Sequence, residues 1–337
     1  MIFSFVMKIG LLGAGTVGSK LIELIEDRDE LGFLVSKVLV RDTTKARSNI
    51  PLNLLSTNPA EVLEASDILV EVMGGTTTAT EVMLEALNQG QRVVTANKAA
   101  LAEHWETFKP FIKKGLLYFE ASVMAGTPTI GALTGVLRGS RPLELHAILN
   151  GTCNYILSEL EKGKSYDKAL AEAQKLGYAE ADPRLDVEGF DAAHKLIILA
   201  RLVFDPNATW ESIEAHTKGI THITPAMMQD AMQNNGRIRL LGSVYSQKGQ
   251  WAYKVRPVFL PNTHAMAAAA SNRNALYFRG DAVGSVFITG AGAGGAATAS
   301  GVLSDIISAA QGTPGPSLLT KAAKAPQDSN VEILEEV

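Results

Sequence analysis

Between Gly177 and Lys195 the chain places five carboxylates, Glu180, Asp182, Asp186, Glu188 and Asp191, in a stretch broken by Pro183 and Gly189. It then enters the apolar run Leu196-Ile197-Ile198-Leu199-Ala200. Asp191 falls in the first turn of the helix this run predicts, where a negative charge suits the helix dipole. Lys195 follows four residues later, so both heads project from one face. On an exposed helix such a pair is only a weak ion pair. Here the residues that follow, through Phe204, are apolar on nearly every face, the pattern of a buried helix. A buried Asp and Lys bordering a cleft are candidates for acid–base chemistry, because low dielectric makes proton affinity depend strongly on the partners.

A second chemical feature lies near the start. An apolar strand over 6–12 runs into Gly13-Ala14-Gly15-Thr16-Val17-Gly18 and then a helical pattern over 19–25. Glycines at Gly13, Gly15 and Gly18 permit a tight turn, close approach of backbone to a pyrophosphate, and close helix–strand packing. The amides of Thr16 and Val17 open the helix towards the phosphates. A tight turn between strand and helix is the plainer reading; strand before and helix after favour dinucleotide binding. The second strand, over 35–40, ends at Arg41-Asp42, with Lys45 and Arg47 beyond. An arginine there suits a 2′-phosphate and an acid suits a ribose hydroxyl, so NADP is favoured and Asp42 keeps NAD open.

Strands over 66–72, 92–95 and 116–121 continue the alternation of strand and helix. The first is followed by Gly74-Gly75-Thr76 and the second by Ala96-Asn97-Lys98. A lysine at the carboxyl end of such a strand, Lys98, sits where ligands bind in a doubly wound sheet; a surface lysine ending a strand is the alternative. After Pro142 the pattern changes to a strand over 143–149, helices over 154–161 and 167–176, and Gly177 at a left-handed helix end. A helix over 225–233, a hairpin of 238–245 with 252–259, and strands over 275–279 and 283–289 follow. Gly290-Ala291-Gly292-Ala293-Gly294-Gly295 then opens a helix over 298–310.

The expected fold class is therefore α/β: a Rossmann-type doubly wound parallel sheet domain with an α+β domain whose sheet is mainly antiparallel. The division expected is 1–128 with 296–312 for the dinucleotide, 129–295 for substrate and dimerisation, and a loose tail over 313–337. With 46% hydrophobic and 20% charged residues and a net charge of −4, the chain has no basic patch for nucleic acid. One cysteine, Cys153, excludes an internal disulfide, and the six histidines show no metal spacing. The apolar opening lacks a basic flank and no run approaches the ~20 apolar residues of a span, so the expectation is a cytoplasmic protein without a membrane partner.

The run from Gly177 to Lys195 resembles the signature of homoserine dehydrogenases, a G-Y-x-E-x-D-P loop joined to a D-A-x-x-K helix. Leu149-Asn150-Gly151-Thr152-Cys153-Asn154-Tyr155-Ile156-Leu157 resembles a second signature of that family, and the similarity runs from about Lys8 to Gln311. The resemblance implies NAD(P)-linked interconversion of L-homoserine and L-aspartate 4-semialdehyde, on the route to threonine and methionine. It implies that Lys98 lies close to nicotinamide and substrate hydroxyl, and that Lys98 and Lys195 serve the oxygen that gains or loses a proton. By the same resemblance Glu180 and Asp191 hold the substrate ammonium, Asp186 supports them, and Gly151 and Thr152 contact substrate. Gly74, Gly177 and Gly294 approach the cofactor. Backbone carbonyls of Glu120, Val123, Ala125 and Thr127 would hold a sodium ion, and the antiparallel sheet would build a homodimer. Cys153 stands where relatives often carry threonine. The 26 residues after Gln311 are fewer than the ~70 of a small folded module, so a stand-alone form without kinase or regulatory domain is expected. Another NAD(P)-linked dehydrogenase on the same plan, or a nucleotide-sensing regulator without catalysis, are the alternatives; the intact set of Lys98, Glu180, Asp191 and Lys195 argues against the regulator.

Overall fold

Six parallel strands, β1 (Met7–Leu12), β2 (Phe33–Leu39), β3 (Leu55–Ser56), β4 (Ile68–Glu71), β5 (Arg92–Thr95) and β6 (Leu117–Tyr118), align in the order β3-β2-β1-β4-β5-β6. The computed structural model describes residues 6–45, 47, 50–327 and 336–337; the apolar opening at 1–5 and residues 328–335 of the tail lie outside them. Strands β1 and β4 are almost continuously apolar because helices cover both faces of a parallel sheet. The order turns back between β1 and β4, so their carboxyl ends flank the crevice where such sheets take ligands. Helix Thr16–Glu26 buries Leu21, Ile22 and Ile25 against the sheet, and helix Gly295–Ala310 buries Ala299, Val302 and Ile306 in the same core. Described residues up to Gly131 together with Ala293–Leu318 make up this unit.

One expected strand is cut short. Of 116–121 only Leu117–Tyr118 pairs, and Glu120–Ser122 turns into a single 3-10 turn. The amide of Glu120 is drawn to Asp305 Oδ2 at 2.8 Å, and its carboxylate accepts from the amides of Thr129 (2.6 Å) and Ile130 (3.0 Å), at the start of helix Ile130–Thr134. Those tertiary partners take the backbone and side-chain groups that a longer strand would have left to the sheet.

The other unit, Ala132–Gly292 with the described residues from Leu319 on, is built on a five-stranded antiparallel sheet. Its strands are β7 (Pro142–Ile148), β8 (Gly236–Gln247), β9 (Gln250–Pro261), β10 (Arg273–Gly280) and β11 (Gly284–Ala291), in the order β11-β10-β7-β8-β9. Gln247 pairs with Gln250 across a two-residue turn, Lys248-Gly249, with φ of 52° and 76° at the two positions. Positive φ at both central residues matches the right-handed twist of the strands. Helix Phe190–Val203 lies on this sheet, and a Cβ at Gly242 would stand 3.3 Å from Leu196 Cδ1, so glycine sets how closely helix and sheet approach.

The expected loose tail differs from its described part. Residues 313–327 form no helix or strand but are tied down. Tyr118 donates its hydroxyl to Thr313 O at 2.8 Å, Trp251 Nε1 donates to Ala323 O at 2.8 Å, and Ser246 Oγ donates to Pro326 O at 2.5 Å. Tyr118, Ser246 and Trp251 each need an acceptor, and the backbone carbonyls of this irregular segment supply them.

Candidate functional site

The glycine turn after β1 has the shape its sequence suggests. Gly13 adopts φ +104°, and a Cβ there would stand 2.8 Å from Met73 Cα. A Cβ at Gly18 would lie 2.2 Å from Gly13 O, whereas nothing stands within 4 Å of one at Gly15. Two glycines thus close the turn and the third leaves backbone open at the start of helix Thr16–Glu26, where no side chain caps the first amides. Gly295, which begins the last helix, packs against Thr16, since a Cβ there would meet Thr16 Cγ2 at 2.7 Å, and Gly294 beside it is open with φ +110°. The expected helix start at 298 therefore moves three residues earlier, to Gly295.

A buried carboxylate that sequence reasoning missed organises the neighbouring strand ends. Glu71, the last residue of β4, is fully buried. It accepts from the amides of Met73 (2.9 Å) and Gly74 (3.0 Å) and from Thr95 Oγ1 (2.7 Å). Burial pushes its carboxyl above the usual range, and the bonds from Thr95, Gly74, Met73 and Asn97 oppose that. Asn97 in turn donates to Gly75 O at 2.7 Å and caps helix Lys98–Glu103 by accepting the amide of Ala100. Lys98 is thus the first residue of a helix whose cap is tied to the Gly74-Gly75 turn. That turn has φ of 73° and 77° and no atom within 4 Å of a Cβ at either position. The open glycine backbones, tight turn and nearby lysine fit a dinucleotide.

After β2, Arg41 is exposed. The carboxylate of Asp42 is turned into a local loop, accepting from Thr44 N at 2.8 Å and Thr44 Oγ1 at 2.7 Å, and the Thr44 bonds hold it below the usual carboxylate range. Arg47 donates to the carbonyls of Asp42 and Lys45.

Of the five carboxylates, the fold gathers two, Asp186 and Asp191, at Asn150, and pairs Asp191 with Lys195. Lys195 Nζ lies 2.8 Å from Asp191 Oδ2 and 2.7 Å from Leu149 O, with side-chain exposures of 10% and 11% for the pair. Asn150 donates from Nδ2 to Asp186 Oδ1 and to Asp191 Oδ2, each at 2.7 Å. Asp182 instead pairs with Arg184 at the surface, which lowers its carboxyl to about 2. Glu188 and Glu180 are exposed, and among the described residues no ion pair joins the Glu180 carboxylate to the buried network. Glu180 does have a fixed backbone, because Gln174 Nε2 donates to its carbonyl at 3.1 Å.

The loop is anchored on helix Gly151–Glu161. Thr152 Oγ1 donates to Tyr178 O at 2.6 Å, and the Tyr155 and Tyr178 rings meet edge to face at 5.1 Å. Gly177 has φ +75° just past helix Tyr166–Lys175, as a left-handed end requires. Residues Arg184–Val187 form one helical turn within what the sequence suggests is irregular loop. Cys153 Sγ donates to Asp186 O at 3.1 Å, and burial with the charges of Asp186 and Asp191 pushes the thiol up. The sequence pattern starts this helix at 154, which leaves Asn150 outside it; the helix begins at Gly151 with Asn150 as its cap, and an asparagine just before a helical run is the signal for that role.

Around Glu120 the chain bends through Met124 and Ala125 at φ 58° and 54°, consecutive non-glycine residues in the left-handed region. Thr127 O accepts from Thr129 Oγ1 at 2.9 Å, while the carbonyls of Val123 and Ala125 accept no hydrogen bond among the described residues. Among the described residues no group of three or more His, Cys, Asp and Glu could hold a metal ion.

A family model described as homoserine dehydrogenase matches residues 128–307, and one described as homoserine dehydrogenase, NAD binding domain, matches residues 13–111. A homoserine dehydrogenase of Bacillus subtilis (strain 168) is 37% identical over 314 residues, covering 89% of this chain and 72% of that protein. One from Helicobacter pylori is 39% identical over 316 residues, covering 90% and 74%. Among solved structures, a homoserine dehydrogenase from Thiobacillus denitrificans superposes with a TM-score of 0.82 at 39% identity, covering 89% of this chain and 72% of the other. A hyperthermophilic archaeal homoserine dehydrogenase in complex with NADPH gives 0.78 at 28% identity, covering 92% and 99%.

Proposed function

The chain belongs to the homoserine dehydrogenase family, and from that premise we infer how its own residues carry out the family's reaction. It is an oxidoreductase of amino-acid biosynthesis that interconverts L-homoserine and L-aspartate 4-semialdehyde with a nicotinamide cofactor. When bound, the nicotinamide accepts or supplies the hydride.

Lys195 takes the proton from the substrate hydroxyl during oxidation and returns it during reduction. As the ammonium that donates in reduction it commits two of its three N–H groups to Leu149 O and Asp191 and leaves the third for the substrate oxygen; as the amine that accepts in oxidation it keeps those two bonds and offers its lone pair in the third direction. Asp191 fixes Lys195 and, with Glu180, receives the substrate ammonium; Asp186 supports Asp191. Gly151 and Thr152 shape the substrate loop. Lys98 serves the nicotinamide end of the cofactor and the substrate oxygen. Gly13, Gly15, Thr16, Val17 and Gly18 take the pyrophosphate, with Gly74, Gly177 and Gly294 also approaching the cofactor. The observation that carries these assignments is the buried 2.8 Å contact of Lys195 with Asp191.

NADP is the preferred cofactor in this reading. Support comes from exposed Arg41 beside Lys45, and from Asp42, whose carboxylate is engaged by Thr44. The carbonyls of Glu120, Val123, Ala125 and Thr127 hold a sodium ion, a role supported by the left-handed turn at Met124-Ala125. The antiparallel sheet builds a homodimer, supported by the exposed Phe287 on edge strand β11. No helix among the described residues is long and apolar enough to cross a membrane; the enzyme works in the cytoplasm in this reading. Following the absorbance of reduced nicotinamide with homoserine and NADP or NAD in turn tests both activity and preference. Turnover with NAD alone would refute the preference, and no turnover with either would refute the assigned chemistry.

A further inference from the structure

We propose that Asn150 is a positioning residue of the reaction, an amide clip that holds Asp186 and Asp191 side by side and thereby fixes the Asp191–Lys195 pair. The inference rests on the reading of Lys195 as the proton carrier.

Asn150 is 3% exposed and stands between β7 and helix Gly151–Glu161. Its two amide hydrogens go to two carboxylates, Asp186 Oδ1 and Asp191 Oδ2, each at 2.7 Å, and its Oδ1 accepts the amide of Cys153 at 2.7 Å. The assignment of oxygen and nitrogen is unambiguous, because the flipped amide would aim an oxygen at two carboxylates and a nitrogen at an N–H. Asp186 comes from the one-turn helix Arg184–Val187 and Asp191 from helix Phe190–Val203, and Asn150 bonds to both. Asp191 is buried and Asp186 partly so; two carboxylates brought together repel, and donors to both offset that repulsion.

The residue before Asn150 holds the other half of the pair. Leu149 O accepts from Lys195 Nζ at 2.7 Å and is itself steadied by Asn274 Nδ2 at 3.2 Å. Consecutive residues thus grip the ion pair from both sides, the carbonyl on the cation and the amide on the anion. A lysine held this way has a set direction for its remaining N–H, which is what proton transfer to a bound oxygen needs.

Asn150 also caps a helix, and the capping role makes a different forecast. Serine and aspartate cap about as well as asparagine, so a cap-only residue tolerates both. The clip needs two donors; serine has one, and ionised aspartate has none and adds a third carboxylate. The experiment compares the full-length N150S and N150D enzymes in steady-state turnover of homoserine, thermal melting and NADPH titration by nicotinamide fluorescence. Expected are a fall in kcat of roughly tenfold for N150S and about a hundredfold for N150D, the size of losing one and then both bonds to charged groups. NADPH affinity should stay within about twofold, because cofactor contacts lie on other residues. N150D matching or exceeding N150S in kcat would overturn the clip, as would N150S with native kcat if N150D does not fold. A Lys195→Ala enzyme measured alongside separates the two levels. Native kcat in that variant refutes the underlying reading, whereas an inactive Lys195→Ala beside a fully active N150S refutes the clip alone.

Discussion

Lys195 Nζ and Asp191 Oδ2 meet at 2.8 Å one turn apart on helix Phe190–Val203, and the same nitrogen reaches Leu149 O at 2.7 Å. Both side chains are about nine-tenths buried, which sets the pair apart from i,i+4 pairs on solvated helices that contribute ~0.3–0.5 kcal/mol. A buried pair has lost water on both sides, and removing one partner leaves the other charge uncompensated, at roughly 3–5 kcal/mol.

Lys195→Ala should therefore lower kcat by roughly 10²–10⁴, the range for a positioned acid–base group, with cofactor affinity little changed. It should also lower Tm, so turnover must be read well below the melt. Glu180→Ala should show the opposite split, a raised KM for homoserine with a smaller effect on kcat, since its exposed carboxylate is assigned to binding. Native kcat in folded Lys195→Ala would remove the lysine from the chemistry.

Arg41→Ala should weaken NADPH more than NADH, because only the 2′-phosphate loses a charged partner. Fluorescence titration of both cofactors measures this directly. Equal losses would mean that the loop after β2 does not read the phosphate.

Much of this was legible in the sequence. The placement of the glycine turn after β1, of Lys98 just past β5 and of Asp191 and Lys195 on one buried helix face follows from spacing and apolar flanks, which local physics dictates. What escaped were groups whose roles exist only across the fold. Glu71 reads as the end of an apolar strand, and nothing near it in the chain announces Thr95 as its partner, 24 residues away. Asn150 and Asp186 are 36 residues apart and meet through two helix starts. The strand over 116–121 was overestimated for the same reason, because Asp305 claims the Glu120 amide from 185 residues away.

Glu71→Ala should weaken NADPH and NADH alike, by roughly tenfold. The amides of Met73 and Gly74 and the hydroxyl of Thr95 would lose their acceptor, at about 1–3 kcal/mol for each group left unsatisfied, and the Gly74-Gly75 turn would loosen. Glu71→Gln keeps an acceptor and should fall between. Wild-type affinities in Glu71→Ala would show that the turn holds its shape without the carboxylate.

Asp305 provides the pH test. Burial, reinforced by the charge of Glu120, raises its carboxyl well above 3.8. An acid raised in the folded state binds its proton more tightly there, so its stabilising contribution is present below the unfolded pKa and is lost as pH rises through the folded one. Asp305→Asn keeps an acceptor for the Glu120 amide without the ionisation. The Tm difference, variant minus wild type, should therefore grow as pH climbs from about 4 to 8. A difference that is flat across that range would contradict the direction of the shift.

Cys153 has a practical consequence. It is the single cysteine in the sequence, fully buried, with its thiol pushed well up by burial and by the charges of Asp186 and Asp191. Thiolate is the species that attacks maleimides and iodoacetamides, so the native thiol is spectroscopically silent to such reagents in the folded enzyme. A cysteine introduced at an exposed position such as Val136 would take a fluorophore or spin label selectively, with the wild-type background left intact.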